Sequence, residues 1–193
     1  SELAAAPCND MVVDAAGRAY VGHFGFDLFA AKPERRSAEL LLVEPDGVAR
    51  VAASDLEFPN GTVITPDGHT LIVAESMGRR LTAFDVSEDG SLSARRIWAD
   101  LDDAVPDGVC LDADDGIWVA SPSERQAFRV IEGGSVTERI NLPDPAFACM
   151  LGGHDGRTLH ILTAASSEPE VCRADRTGRI LTVRVNAPRA GFP

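Results

Sequence analysis

No run in this 193-residue chain stays apolar for the roughly 20 residues that a membrane-spanning helix needs. The amino-terminal stretch also lacks a basic segment followed by a hydrophobic one, so no secretory leader or membrane partner is expected. Cysteine is sparse: Cys8, Cys110, Cys149 and Cys172 form no C-x-x-C pair and no zinc spacing. Three of them sit in apolar, strand-like runs and read as small buried hydrophobes, which fits a cytoplasmic protein. Positive charge is scarce as well. Eighteen Lys and Arg face 30 Asp and Glu, for a net charge of −12, and no basic cluster is interleaved with aromatics. That excludes a nucleic-acid partner and suits a protein that tolerates cations. A sustained 3.6-residue apolar period is missing too. The best helix candidate, 30–39, carries Lys32-Pro33-Glu34-Arg35-Arg36-Ser37 and reads better as a polar loop. No phosphate loop is present, and Gly152-Gly153 belongs to a hairpin turn. The chain opens Ser1-Glu2-Leu3 without methionine and meets a strand signal almost at once, so an N-terminally incomplete chain is expected.

What remains is a succession of short apolar runs cut by Gly, Pro, Asp and Asn, the pattern of an all-β protein. With 45 % hydrophobic residues, the chain can bury a core as one domain over 1–193. The runs repeat. Each unit is a strand, a tight turn ending in glycine, and a second strand. The turn glycines are Gly17, Gly68, Gly116 and Gly156, at intervals of 51, 48 and 40 residues. Further strands follow each hairpin, at 39–44 and 48–53, 80–86 and 92–99, 127–131 and 135–141, and 179–185. Units of about four strands repeating every 40–50 residues predict β-propeller blades, here at about 9–53, 59–99, 106–141 and 146–186. A β-sandwich gives no reason for the shared register.

That register exposes the functional signal. Asn9 and Asn60 each lie 8 residues before their turn glycine, and Asp107 lies 9 before Gly116. In a propeller the first strand of each blade lines the central channel, so these side chains converge. Two amide oxygens and a carboxylate make a hard oxygen site suited to calcium or magnesium. Taken singly, Asn60-Gly61 and Pro106-Asp107-Gly108 are ordinary turn sequences, as at 45–47 and 66–68. Only their common phase argues for a site. Ala148 and Cys149 occupy the same phase in the fourth unit, so that side of the channel is apolar. His23, His69, His154 and His160 are scattered and read as surface residues. Glu75-Ser76 reads as an exposed loop, with the alternative that it faces the same channel mouth as Asn60. Trp98 and Trp118 read as core.

The runs Cys8-Asn9-Asp10, Pro59-Asn60-Gly61, and Pro106-Asp107-Gly108-x-Cys110-x-Asp112-x-x-x-Gly116-x-Trp118 together resemble the gluconolactonase/senescence-marker-protein (regucalcin) family. The resemblance extends over essentially the whole chain. It implies a six-bladed propeller, about four of whose blades are represented here, that holds one divalent metal and hydrolyses a lactone. Calcium is the first expectation for the metal, with magnesium, manganese or zinc as alternatives. By the same resemblance Asn60 and Asp107 match metal ligands, Asp107 also matches the general base, and Asn9 matches a substrate-contacting residue. The family's third ligand is a glutamate near the start of the first blade, and this chain is expected to begin about two blades beyond it. Pro7 stands where relatives often carry an arginine. The expected partner is a small-molecule lactone. The alternatives are a metal- or ligand-binding propeller without catalysis, and an aryl ester or organophosphate hydrolase on the same fold.

Overall fold

The computed structural model describes residues 3–190. Four antiparallel sheets follow one another along the chain. The first contains β1 (Cys8–Val13), β2 (Ala19–His23), β3 (Ala38–Val43) and β4 (Ala49–Leu56). The second contains β5 (Pro59–Ile64), β6 (Thr70–Glu75), β7 (Arg80–Val86) and β8 (Leu92–Asp100). The third contains β9 (Val109–Leu111), β10 (Ile117–Ser121), β11 (Gln126–Val130) and β12 (Val136–Asn141). The fourth contains only β13 (Ala146–Gly152), β14 (Thr158–Thr163) and β15 (Arg179–Arg184). Each sheet is a simple meander, and the first strands β1, β5, β9 and β13 adjoin in turn. This is a four-blade propeller arrangement, all-β among the described residues apart from one short helix.

The strand period of two explains how the sheets stack, because successive side chains point to opposite faces. Leu71 and Val73 pack back against Tyr20, Leu40 and Leu42 of the first sheet. The intervening Ile72 and Ala74 pack forward against Ile117 and Val119 of the third. In β10 the alternation recurs, with Trp118 and Ala120 turned towards Cys149, Leu159 and Ile161 of the fourth sheet. A sheet covered on both faces reads as a continuous apolar run, which is why β6 and β10 are buried along nearly their whole length. The first and last sheets, by contrast, leave Met11, Val13, Leu162 and Ile180 exposed.

Two expectations needed correction. The polar segment before β3 is indeed a loop, but a helix, α1 (Pro169–Ala174), stands between β14 and β15. It buries no side chain, so it left no apolar period to detect. Cys110 and Cys149 are buried as expected, whereas Cys8 and Cys172 are exposed, so two cysteines rather than three serve as core hydrophobes. Trp98 and Trp118 do pack in the core. Among the described residues no helix is long and apolar enough to cross a membrane.

Candidate functional site

The three residues that share a register meet. Asn9 in β1, Asn60 in β5 and Asp107 just ahead of β9 all line one open cavity of about 530 Å³. Asp107 lies two residues before its strand rather than at the strand's first position, and backbone hydrogen bonds anchor it from three sheets. Its N–H donates to the Ala120 carbonyl of its own sheet at 2.9 Å. Its carbonyl accepts from Gly61 of the preceding sheet at 3.2 Å, and the next amide, Gly108 N–H, donates to Phe147 of the following sheet at 3.0 Å.

Gly61 and Gly108 make this seam possible. A Cβ on Gly61 would stand 2.5 Å from the Val109 nitrogen, and one on Gly108 would stand 2.8 Å from the Ala148 Cα. Neither glycine has a positive φ. The glycines of Asn60-Gly61 and Asp107-Gly108 therefore serve close strand approach rather than the turns these dipeptides suggest in isolation.

Asn60 is held from behind. Its Nδ2 donates to Ser76 Oγ at 3.1 Å, and the Ser76 hydroxyl donates its one proton to the Pro106 carbonyl at 2.6 Å. That relay leaves Asn60 Oδ1 buried without a protein partner, an uncommon state for a polar atom. Asn9 Nδ2 donates to the Pro59 carbonyl at 3.2 Å, so it is tied to the residue preceding Asn60. Replacing Ser76 with alanine strands both the Asn60 amide and the Pro106 carbonyl. The expected cost is about 1–3 kcal/mol in urea-unfolding stability; an unchanged midpoint would contradict the relay.

Burial pushes the Asp107 carboxyl up to about 7, and the negative charge of Asp10 pushes the same way. The Asn60 side chain and the Gly108 N–H favour the ionised form and limit the rise. Partial burial raises Asp10 too. Its influence on Asp107 was not legible in the sequence, where it is simply a polar residue early in a strand.

Glu75 and Ser76 correct the expectation of an exposed loop. Glu75 is wholly buried at the end of β6, and Ser76 is buried and lines the cavity, which favours the alternative that it faces the Asn60 mouth. Glu75 accepts from the Glu57 N–H at 2.7 Å, from Thr82, from Arg80 at 2.9 and 3.0 Å, and from Arg95 at 3.3 Å. Burial alone would raise its pKa, but the hydrogen bonds from Arg80, Thr82 and the Glu57 N–H outweigh it and the net shift is downward. His23 also departs from the surface expectation. It is fully buried, accepts from the Gly25 N–H through Nδ1 at 3.1 Å, and lies 2.9 Å from Glu39 through Nε2. Asp112 is structural: it grips Arg129 at 2.6 and 3.0 Å and caps the Gly116 turn.

Asn60 Oδ1 and the Asp107 carboxylate are hard oxygen donors that suit a divalent cation in kind. Among the described residues no three His, Cys, Asp or Glu side chains cluster closely enough to hold a metal by themselves.

Residues 2–165 match the SMP-30/Gluconolactonase/LRE-like region. Regucalcin of Gallus gallus is 28 % identical over 162 residues, which cover 81 % of this chain and 54 % of that protein. The 6-deoxy-6-sulfogluconolactonase of Pseudomonas putida is 28 % identical over 192 residues, 96 % of this chain and 64 % of that one. The structure of regucalcin from Agrobacterium tumefaciens, described as a calcium-binding protein, superposes with a TM-score of 0.74. It is 19 % identical and the match covers 96 % of this chain and 62 % of that one, a likeness of fold. The chain thus spans a little over half to just under two thirds of the relatives it matches.

Proposed function

Because the chain belongs to the SMP-30/gluconolactonase/LRE-like family, we propose that it carries the site of a metal-dependent lactone hydrolase. In this reading Asn60 and Asp107 are metal ligands, Asp107 is also the general base, and Asn9 contacts the substrate. The observation that carries it is the partnerless, buried Oδ1 of Asn60 beside the Asp107 carboxyl in one cavity. Their oxygen chemistry favours calcium, then magnesium, over a thiophilic ion. The name of the Pseudomonas relative agrees with lactone hydrolysis, and the description of the Agrobacterium relative as calcium-binding agrees with the choice of ion.

When bound, such a cation polarises the lactone carbonyl and lowers the pKa of a water. The chain's own residues supply the rest. The Asp107 carboxylate takes the proton of the attacking water as the new C–O bond forms. On ring opening the same group returns a proton to the departing ring oxygen. Without a cation, burial holds the Asp107 carboxyl at about 7; a bound cation would favour the carboxylate form that the base step needs. Asn9, held to the Pro59 carbonyl, orients the substrate beside it.

The test is lactone hydrolysis by the full-length protein before and after chelation, with calcium, magnesium, manganese or zinc restored one at a time. Turnover is expected to fall at least tenfold on chelation and to return with the metal. Full turnover in excess chelator would sink the metal's role. Metal binding without turnover of lactones, aryl esters or phosphotriesters would indicate a binding propeller instead.

A further inference from the structure

The cavity around Asn60 and Asp107 has a lining with two distinct characters. Among the described residues lining it there is no Lys, Arg or His, while two carboxylates, Asp107 and Glu168, face it. Asn9, Ser76, Ser123, Ser166 and Ser167 add polar groups to the wall, and an apolar arc completes it. Phe24, Leu28 and Phe29 enter from the connection between β2 and β3, Phe58 from the approach to β5, and Phe147 from the far side. Phe24 and Phe58 stack with ring centroids 4.7 Å apart and planes 17° from parallel, and Phe26 braces Phe58 from behind at 5.8 Å.

Phe58 is held there against local preference. Its φ is +64°, a left-handed conformation that a bulky side chain rarely adopts. It is fixed by the Ser76 N–H, which donates to the Phe58 carbonyl at 3.1 Å, and by Met77 N–H bonding Glu57. Backbone strain retained beside a candidate site points to a use for the ring it positions. Phe29 is 44 % exposed at the mouth, too open to be explained by the core.

We propose that this cavity selects uncharged lactones bearing an aromatic or alkyl portion, seated on Phe24, Phe29 and Phe58, over polyhydroxylated or anionic sugar lactones. The selectivity rests on the lactone-hydrolase reading of the same site. The physical basis is threefold. An apolar ring removes itself and the phenyl faces from water together, with offset or edge contacts open to it. Sugar hydroxyls pressed against phenyl rings lose water without gaining partners. An anionic substituent reaching past the bound cation meets Glu168 and, among the described residues, no cationic side chain.

Two measurements on the full-length, metal-loaded protein test this. In calorimetry with unreactive lactams, 3,4-dihydroquinolin-2-one is expected to bind at least tenfold tighter than gluconolactam. In turnover, kcat/KM for 3,4-dihydrocoumarin is expected to exceed that for gluconolactone, or for a carboxylated sugar lactone, at least tenfold. Phe24→Ala and Phe29→Ala should each lower that ratio at least threefold, and a general loss of folded protein cannot mimic the change because it cancels in the ratio. Equal or tighter binding of the hydroxylated lactam, or an unchanged ratio in both variants, overturns the proposal. A retained lactam preference with no lactone turned over would instead overturn the hydrolase reading and leave the selectivity standing. Binding of neither lactam overturns the selectivity itself.

Discussion

Asp107→Asn in the full-length protein is expected to lower kcat for lactone hydrolysis by about 10²–10⁴-fold, the usual worth of a positioned base. The amide keeps the shape of the carboxylate and an oxygen that can face a cation, but it cannot take a proton. The same change should make the metal-free protein more stable at pH 8. The sign follows from the raised pKa. An unfolded aspartate ionises near pH 4, whereas folded Asp107 holds its proton to about 7. Between those values the unfolded chain releases a proton that the folded one retains, so stability falls as pH rises through that window. The loss is complete above about pH 7. Asparagine has no charge to bury and escapes it. Thermal melts of the metal-free parent and variant at pH 5 and pH 8 check this. The gap in favour of the variant should widen from the lower pH to the higher. Undiminished turnover in the variant would remove Asp107 from the chemistry.

The sheets were legible in the sequence because each repeats a strand–turn–strand unit with its own glycine, and because sheets covered on both faces leave long apolar runs such as 71–74 and 117–120. The convergence of Asn9, Asn60 and Asp107 was legible through phase alone, since offsets of 8, 8 and 9 residues from a turn glycine place residues at similar heights on successive sheets. Contacts that join distant segments were not legible. Ser76 reaches Asn60 and Pro106 across 16 and 30 residues of chain, and nothing local distinguishes it from a loop serine. His23 looked like a surface residue because its partner Glu39 lies on the next strand. The strain at Phe58 has no sequence signature, for phenylalanine is the last residue one would place at a positive φ.

Glu75→Gln is expected to cost about 3 kcal/mol of stability at pH 7, the lower end for breaking a buried ion pair. In a chain of this size that is a fall of roughly 6–12 °C in the thermal midpoint. The lower end applies because Arg80 and Arg95 are only partly buried and can turn their released charges towards water. Glutamine must also present an N–H₂ group where the native carboxylate accepts from two arginines, a threonine and a backbone amide. Glu75 and Asp107 are both carboxylates removed from water, yet their pKa values move in opposite directions. Cationic partners and donors surround Glu75 and fix its charge. At Asp107, burial and the like charge of Asp10 outweigh one amide and one backbone N–H. Such a divergence separates a structural carboxylate from a reactive one. The pH dependence should follow. The stability that Glu75 contributes is present above its unfolded pKa near 4.5 and is lost as pH falls through its lower folded value, so parent and variant should converge in acid. The damage should also reach the cavity, because the Glu75–Glu57 bond fixes the segment leading to Phe58, Pro59 and Asn60. A lower kcat/KM for lactone at a temperature where the variant is still folded would trace that connection. Equal melting temperatures for parent and variant at pH 7 would show that the arginine cluster does not hold the segment in place.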